Sequence, residues 1–242
     1  MIKAIIFDLD GTLCDTVNDI RTAINLALTR LGYRARSRTD IVKAMNNGAK
    51  ELVRRSLPKD VQTVEFIVDS ALGLYEGEYA KCYSDKTKEY DGTRAMLEEL
   101  KSKDFKIAVL SNKQNMFVKG IIEKVFGKGM FSFVMGQSEL PVKPDPASAL
   151  FVAKQLGVKP ERCIFVGDSD VDMKTAQNAG MKSIGCAWGY RELEVLTGAG
   201  ADKIATSPDE VVSLVEDIDA ELEKIKLEAK LAKKNKGKPK AD

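Results

Sequence analysis

Four short segments of this 242-residue chain carry side chains whose types and spacing could perform chemistry together. The first is Asp8-Leu9-Asp10-Gly11-Thr12-Leu13, in which two carboxylates directly follow an apolar run. Such a pair can bind a divalent cation, or can supply a nucleophile beside an acid–base group. Gly11 allows the chain to turn sharply after the pair. Alone, the segment also fits an ordinary strand-to-turn junction.

The second and third segments could bind an anion. Ser111-Asn112-Lys113 follows an apolar run and precedes a helical pattern, so its hydroxyl, amide and backbone N–H groups could hold a phosphate. Lys143 precedes Pro144, and Pro146 follows two residues later. The two prolines stiffen the backbone and would fix the direction of the Lys143 ammonium. Taken singly, the first of these segments better fits an ordinary helix N-cap and the second a rigid surface turn before a helix.

The fourth segment, Gly167-Asp168-Ser169-Asp170-Val171-Asp172, is typical of a site for a hard cation. It has three carboxylates within five residues, directly after an apolar run. Acids that complement a helix dipole would explain one or two of these residues, but not Asp168 as well.

Composition excludes several other kinds of chemistry. The chain has no histidine, which rules out Ser-His-Asp and Cys-His catalysis and histidine zinc sites within it. Its four cysteines form no Cys-x-x-Cys pair and no disulfide framework. Catalysis must therefore use carboxylates, lysines, hydroxyls or a bound hard metal ion.

Alternating strand and helix patterns would position these segments. Short apolar runs at 4–7, 107–110, 131–135, 163–166 and 183–187 alternate with helical patterns, which predicts an α/β fold with a parallel sheet covered on both faces. Ligands bind in such folds beyond the carboxyl ends of the strands. Asp8, Ser111 and Asp168 each follow a strand, so we expect them to converge there.

Residues 15–86 interrupt the alternation with helical periodicity alone, which predicts an inserted helical cap. The catalytic core would then comprise residues 1–14 and 87–220. Residues 221–242 hold eight lysines and four acids, and predict a basic, flexible tail on a slightly acidic body. The net charge of +2 therefore gives no reason to expect nucleic-acid binding.

The order of the four segments resembles the four motifs of the haloacid dehalogenase superfamily. Asp-x-Asp-Gly-Thr, Ser-Asn-Lys, Lys-Pro and Gly-Asp-Ser-x-x-Asp follow one another over roughly residues 1–215. The helical insert lies where that family carries its small helical cap. The resemblance implies a doubly wound, Rossmann-like parallel sheet with the cap inserted after its first strand.

The resemblance also implies a role for each motif residue in a Mg²⁺-dependent phosphatase. Asp8 would be the nucleophile that becomes an aspartyl-phosphate, and Asp10 the acid–base group. Phosphate-binding residues and metal ligands would surround them. The implied phosphate-binding residues are Ser111, Asn112 and Lys143. The implied metal ligands are Asp8, the backbone carbonyl of Asp10, and Asp168, with Asp172 supporting them.

Three further segments resemble phosphoglycolate phosphatases: Asn46-Asn47-Gly48-Ala49, Ser111-Asn112-Lys113 and Trp188-Gly189-Tyr190-Arg191. The candidates for binding a substrate carboxylate are Asn47, Lys50, Arg54 and Arg191. The superfamily also includes sugar-phosphate mutases, pyrophosphatases, nucleotidases and phosphonate hydrolases. A phosphonate hydrolase would need a lysine of the cap that forms a Schiff base, and Lys43, Lys50 and Lys59 are available. A non-catalytic phosphate-binding module is the alternative outside enzymes.

We expect a small phosphorylated metabolite as the substrate, and neither nucleic acid nor a membrane as a partner. No apolar run approaches the ~18 residues of a membrane-spanning helix. Charge interrupts the first residues too soon for a signal peptide, which predicts a cytoplasmic protein. The sequence leaves the oligomeric state open.

Overall fold

The computed structural model describes residues 1–236. Its main sheet has six parallel strands in the order β5-β4-β1-β6-β7-β8. These strands are β1 Ala4–Phe7, β4 Lys106–Gln114, β5 Phe133–Gln137, β6 Cys163–Gly167, β7 Lys182–Cys186 and β8 Lys203–Ala205. Strand order reverses beside β1, and ligands of doubly wound sheets bind at such a switch point. The predicted α/β fold is confirmed.

Helices cover both faces of this sheet. They are α5 Thr93–Ser102, α6 Asn115–Phe126, α7 Ala147–Gln155, α8 Asp170–Asn178, α9 Leu193–Gly198 and α10 Glu210–Lys236. Alternate residues of β1 point to opposite faces: Ile5 and Phe7 pack in one apolar cluster with α5, α6 and α10, whereas Ala4 and Ile6 pack in another with α7 and α8. Burial on both faces explains why this strand is entirely apolar.

The strand register brings the catalytic candidates to one level. Phe7 pairs with Val109 on one side and with Val166 on the other. The backbone N–H of Asp8 donates to the Val166 carbonyl at 2.9 Å, which anchors Asp8 to the sheet edge. The predicted convergence of Asp8, Ser111 and Asp168 at the carboxyl ends of three adjacent strands follows from this register.

Between the first two core segments lie four helices: α1 Val17–Arg30, α2 Arg38–Ala44, α3 Gly48–Ser56 and α4 Glu65–Cys82. They enclose an apolar cluster of their own, to which Phe117 of the core also belongs. A two-stranded antiparallel ribbon joins them to the sheet, with β2 Cys14–Asp15 on the outward path and β3 Lys88–Glu89 on the return. The sequence patterns did not predict this ribbon, because two-residue strands have no detectable periodicity.

Helix α10 runs through the predicted start of the tail. Val211, Val212, Val215 and Ile218 are buried against the core, and residues 223–230 are exposed. Residues 221–236 of the predicted tail continue this helix. Residues 237–242 lie outside the described residues. Within residues 1–236, none of the helices combines the length and the apolar character that crossing a bilayer requires.

Candidate active site

The centre of the site is a buried group of charges around Asp8. The Asp8 Oδ1 atom lies 3.1 Å from the Nζ of Lys143, and the same ammonium lies 2.6 Å from Asp172 Oδ1. The Lys143 side chain is only 2% exposed and its Nζ sits 5.2 Å from the centre of the Phe165 ring. A buried ammonium between two carboxylates is thus held in one position.

These surroundings shift the pKa values of Asp8 and Lys143. Burial raises the pKa of Asp8 to about 7, because Lys143 only partly offsets the loss of solvent and the repulsion of Asp172 and Asp10. Burial alone would lower the pKa of Lys143, but Asp172 and Asp8 raise it well above its ordinary value. Lys143 therefore stays charged at neutral pH.

Asp168 is the third buried carboxylate of the site. Its Oδ2 accepts from the backbone N–H of Tyr190 at 2.8 Å, and its Oδ1 accepts from the Thr12 hydroxyl at 3.3 Å. Burial, with added repulsion from Asp172 and Asp8, raises its pKa well above the usual range. Two glycines make room for it: a Cβ at Gly189 would lie 2.2 Å from Asp168 Cβ, and one at Gly11 would lie 2.3 Å from Asp168 Oδ2.

Carboxylate oxygens of Asp8, Asp168 and Asp172 all lie within 4.8 Å of one another. An all-oxygen set of three buried carboxylates suits a hard divalent cation. Asp172 lies close enough to be a ligand itself, and its predicted role of supporting the ligands stays a prediction. The Asp10 carboxylate does not belong to the set, and only its backbone carbonyl was predicted as a ligand.

The Asp10 side chain faces a second lysine. Its Oδ2 lies 2.9 Å from Lys113 Nζ, and its Oδ1 accepts from the Thr16 hydroxyl. The Lys113 side chain is 7% exposed and its ammonium lies 5.0 Å from the centre of the Tyr79 ring of the cap. Asp10 is therefore oriented by one partner from the core and one from the start of the cap.

Ser111 and Asn112 lie within β4, which continues to Gln114 beyond the predicted run of 107–110, and their side chains differ in what they can do. The Ser111 hydroxyl is buried, lines the cavity above Asp8, and is available to a phosphate. The Asn112 amide donates to the carbonyls of Lys143, at 2.9 Å, and Asn46, at 3.0 Å, and accepts from the Lys143 N–H at 2.8 Å. Its amide thus positions Lys143 and the cap loop, and is not free to hold a phosphate.

The side chains of four predicted substrate-binding residues do not reach the cavity. Lys50 pairs with Glu65 and Asp69, and Arg54 pairs with Glu51 and Glu65 and donates to the Gln62 carbonyl. The amide oxygen of Asn47 faces the Arg55 guanidinium at 3.0 Å. Arg191 donates to the carbonyls of Val42 and Met45 and so binds the cap rather than a ligand. Acidic side chains and backbone carbonyls of the cap bind the cationic groups of Lys50, Arg54 and Arg191. The hydrophobic periodicity of the sequence does not reveal such partners.

A small cavity of about 60 Å³ separates the cap from the catalytic group. Its core wall holds Asp8, Asp10, Ser111, Lys113, Lys143 and Asp172. Its cap wall holds Ile20, Met45, Asn46, Gly48, Ala49, Leu52, Tyr75 and Tyr79. Among the described residues that line this cavity, Lys113 and Lys143 are the cations. The cap lysines considered for a Schiff base are elsewhere: Lys43 and Lys59 line a cleft on the outside of the cap, and Lys50 is paired.

Lys113 and Asn46 were missed as site residues, although the sequence holds a signal for each. Lys113 lies two residues after Ser111 on an extended strand, and residues at that spacing share a face. Asn46 precedes the Asn47 that was chosen. Its φ of 94° is left-handed, which Asn adopts more readily than most residues, and the turn directs Asn46 rather than Asn47 to the cavity.

Comparison with known proteins places this site in a family. The model of the haloacid dehalogenase-like hydrolases matches residues 5–186. The chain is 34% identical to phosphoglycolate phosphatase of Pseudomonas putida over 192 residues, which cover 78% of this chain and 70% of that protein. It is 33% identical to phosphoglycolate phosphatase of Vibrio parahaemolyticus over 219 residues, covering 88% of this chain and 96% of that protein.

Solved structures agree with the sequence comparison. A candidate phosphoglycolate phosphatase from Lactobacillus delbrueckii superposes with a TM-score of 0.82 at 30% identity, covering 88% of this chain and 98% of that one. A second, from Haemophilus somnus, superposes with a TM-score of 0.81 at 26% identity, covering 88% and 97%. Both the core and the cap therefore have counterparts of known structure.

Proposed function

The chain belongs to the haloacid dehalogenase-like hydrolases, and from this premise we propose that it is a Mg²⁺-dependent phosphatase that hydrolyses phosphoglycolate. The observation that carries the proposal is the buried group at the sheet edge. It places a carboxylate nucleophile, Asp8, 3.1 Å from a fixed ammonium and within 4.8 Å of two further carboxylates. Such a group suits the binding and cleavage of a phosphoryl group.

In the proposed reaction, Asp8 attacks phosphorus and the ester oxygen leaves. A carboxylate and a phosphate dianion repel one another, so attack requires positive charge at the phosphoryl oxygens. Lys143 supplies one such charge from its position between Asp8 and Asp172. The Ser111 hydroxyl donates to another phosphoryl oxygen, and Asn112 keeps the Lys143 backbone in place.

Asp10 transfers the protons. It donates a proton to the departing oxygen and then removes one from the water that hydrolyses the aspartyl-phosphate. Its bonds to Thr16 and Lys113 hold it at the boundary between core and cap, where the leaving group must lie. General acid–base catalysis of this kind contributes about 10²–10⁴-fold.

Asp8, Asp168 and Asp172, with the Asp10 carbonyl, are the proposed holders of Mg²⁺. A bound Mg²⁺ would supply positive charge that favours the ionised form of Asp8 and offsets the charge of the phosphoryl oxygens. The carboxylates themselves provide the all-oxygen surroundings that this ion prefers.

The choice of phosphoglycolate is supported by the named relatives and by the size of the cavity. At ~10–15 Å³ for each water-sized group, about 60 Å³ holds only a handful of such groups. That favours a small metabolite over a nucleic acid or a phosphoprotein. The proposed location is the cytoplasm, and the free state of Cys14, Cys82, Cys163 and Cys186 suits a reducing compartment.

A panel of phosphorylated metabolites tests the proposal. We expect Mg²⁺-dependent release of phosphate, with the highest kcat/KM for phosphoglycolate among sugar phosphates, nucleotides, pyrophosphate and small phosphate esters. A clear preference for a sugar phosphate would reject the substrate and retain the phosphatase. Absence of phosphate release from every member of the panel would favour a binding module.

A further inference from the structure

The cap wall of the cavity does not supply the cation that a second acidic group on the substrate would need. Lys50 and Arg54 are paired with acids on the cap, and Arg191 is bound to cap carbonyls. If the substrate carries a carboxylate, its partner must come from the core. Of the two lysines that line the cavity, Lys143 is already committed to Asp8 and Asp172.

Lys113 has the capacity for a further acceptor. Its ammonium has three N–H donors, and the carboxylate that it contacts is Asp10, at 2.9 Å. The side chain is 93% buried and its ammonium rests on the Tyr79 ring, so its direction is constrained. One ammonium can therefore hold Asp10 and a substrate carboxylate at the same time.

A second donor lies on the cap side of the same cavity. The Nδ2 atom of Asn46 is buried and has no hydrogen-bond partner among residues 1–236, although Asn46 lines the cavity. Buried amide donors are nearly always paired, because leaving one unpaired sacrifices its hydrogen bond to water without replacing it. The backbone carbonyl of Asn46 accepts from Asn112 at 3.0 Å, which ties the position of this residue to the strand that carries Lys113.

We propose that Lys113 Nζ and Asn46 Nδ2 together bind the carboxylate of the substrate. They would thereby select phosphate esters that carry a carboxylate over phosphate esters without one. This inference rests on the proposed phosphatase function and names the groups that read the substrate. A carboxylate has two oxygens, so one can accept from the ammonium and the other from the amide. Lys113 is then a specificity-determining residue that also sets Asp10 beside the bound substrate.

The pair makes the cap part of the recognition. Asn46 belongs to the cap, and Lys113 to the core, so a carboxylate that bridges them joins the two walls of the cavity. A phosphate ester of the same size without a carboxylate lacks the negative charge that would bind both donors. Hydrogen bonds to charged groups contribute ~1.5–3 kcal/mol, which corresponds to roughly 10- to 150-fold in binding.

The test compares phosphoglycolate with carbamoylmethyl phosphate, the neutral amide of the same shape. Binding is measured by calorimetry in the presence of Mg²⁺, with Asp8→Asn as the common background so that neither ester turns over. We expect Lys113→Met to weaken phosphoglycolate by roughly 10- to 100-fold and the amide by no more than about threefold. Lys113→Arg, which keeps the charge, should restore part of the preference.

A second variant keeps the test independent of any damage that Lys113→Met does to the fold. Asn46→Asp is nearly isosteric and suits the left-handed backbone, but it sets a negative charge against the substrate carboxylate. It should weaken phosphoglycolate selectively. Lys50→Ala and Arg54→Ala are the matched controls, and neither should change the preference, because both side chains face away from the cavity.

The outcomes separate this inference from the proposed function. Wild-type protein that cleaves phosphoglycolate, with its preference over the amide unchanged in both Lys113→Met and Asn46→Asp, would overturn the inference and leave the function in place. Wild-type protein that cleaves neither ester would instead reject the function. Loss of the preference in Lys50→Ala or Arg54→Ala would assign the recognition to these two cations instead of Lys113 and Asn46, and would also overturn the inference.

Discussion

The two walls of the cavity differ in how their residues are held. On the core wall, Asp8 follows β1 and Ser111 lies on the neighbouring strand β4, so the hydrogen-bonded sheet sets their spacing. On the cap wall, residues come from helices and one loop, and most are apolar, such as Leu52 and Tyr75. The core wall carries the charged groups that the proposed reaction requires. The cap wall supplies the shape of the cavity together with the unpaired amide donor of Asn46. Reactivity therefore depends on the core wall, whereas the proposed selectivity depends on a residue from each wall, Lys113 and Asn46.

The strongest test of this difference between the two walls is to remove the proposed nucleophile, Asp8, from the core wall. Asp8→Asn keeps the shape of the side chain but has no useful nucleophile, so kcat should fall by at least roughly 10⁴-fold for every substrate. Phosphate release measures the loss. The unfolding temperature should not fall, because the change relieves repulsion from Asp168 and Asp172. Normal turnover by the purified variant would refute the assignment of chemistry to this wall.

Removal of the metal should also abolish turnover, and it offers a measurement other than activity. We expect a chelator to reduce phosphate release to background, Mg²⁺ to restore it, and Ca²⁺ to bind but support little turnover, because its coordination is larger and looser. Binding to the three crowded carboxylates should stabilise the fold. At 100 times its dissociation constant, a ligand contributes ~2.7 kcal/mol, or roughly 5–10 °C in a chain of this size.

The control for the metal prediction is Asp168→Asn, which removes one member of the carboxylate cluster. Thermal unfolding of this variant should respond much less to Mg²⁺ than unfolding of the wild-type protein. An equal shift in both proteins would mean that the cation binds elsewhere.

Asp10 lies where the two walls meet, and its removal should cost less than removal of Asp8. Asp10→Asn should lower kcat by ~10²–10⁴-fold for an alkyl phosphate, because the leaving oxygen then departs without a proton. An aryl phosphate has a better leaving group and should lose less during the first step. Steady-state rates on both substrates measure the difference. Equal losses on the two would place the role of Asp10 in the later hydrolysis or in orienting Lys113.

The two walls also differ in how far their residues could be predicted from the sequence. The strands of the core alternate with helices in an obvious pattern, and Asp8, Ser111 and Asp168 stand directly after apolar runs, so the positions of these three residues were predictable, whereas the role of Lys113 on the same wall was missed. The cap wall was not: Lys50 and Arg54 have the right charge, but helix geometry places Glu65 and Asp69 within their reach. Partners across a helix pair depend on packing angles, which periodicity does not contain.

Asp19 illustrates a contact of the cap that no motif signals. It is 1% exposed on α1 and accepts from the backbone N–H groups of Lys86 and Thr87, at 2.9 and 2.8 Å, and from the Thr87 hydroxyl at 2.8 Å. One carboxylate thus joins the outgoing path to the cap with the return path, which are 67 residues apart. Asp19 holds the cap in place without taking part in chemistry.

Asp19→Asn should therefore weaken the fold and leave the catalytic group intact. The amide loses charge-assisted hydrogen bonds and turns a donor towards donors, which should cost ~1.5–3 kcal/mol, or roughly 3–12 °C in the unfolding temperature. Thermal unfolding and kcat are measured together. Glu123→Gln is the control, since Glu123 forms an exposed pair with Lys128 and its loss should not change the unfolding temperature. A variant as stable as the wild-type protein would show that the linkers are held by other contacts.

The smallest effect is expected at the far end of the core. Helix α10 is anchored by Val211, Val215 and Ile218, whereas residues 223–230 expose their side chains. Among the lysines that deletion of residues 224–242 removes, Lys224, Lys226 and Lys230 are described and exposed and do not line the cavity, so we expect kcat/KM for phosphoglycolate to stay within about twofold. Val215→Ala, in the anchored part of the same helix, should lower the unfolding temperature because it leaves a cavity in the core. The two changes together separate what α10 does for the fold from what its basic end does. The expected role of the basic end is to contribute charge and solubility. A large loss of kcat/KM on deletion would instead mean that the basic end acts on the active site together with the two walls.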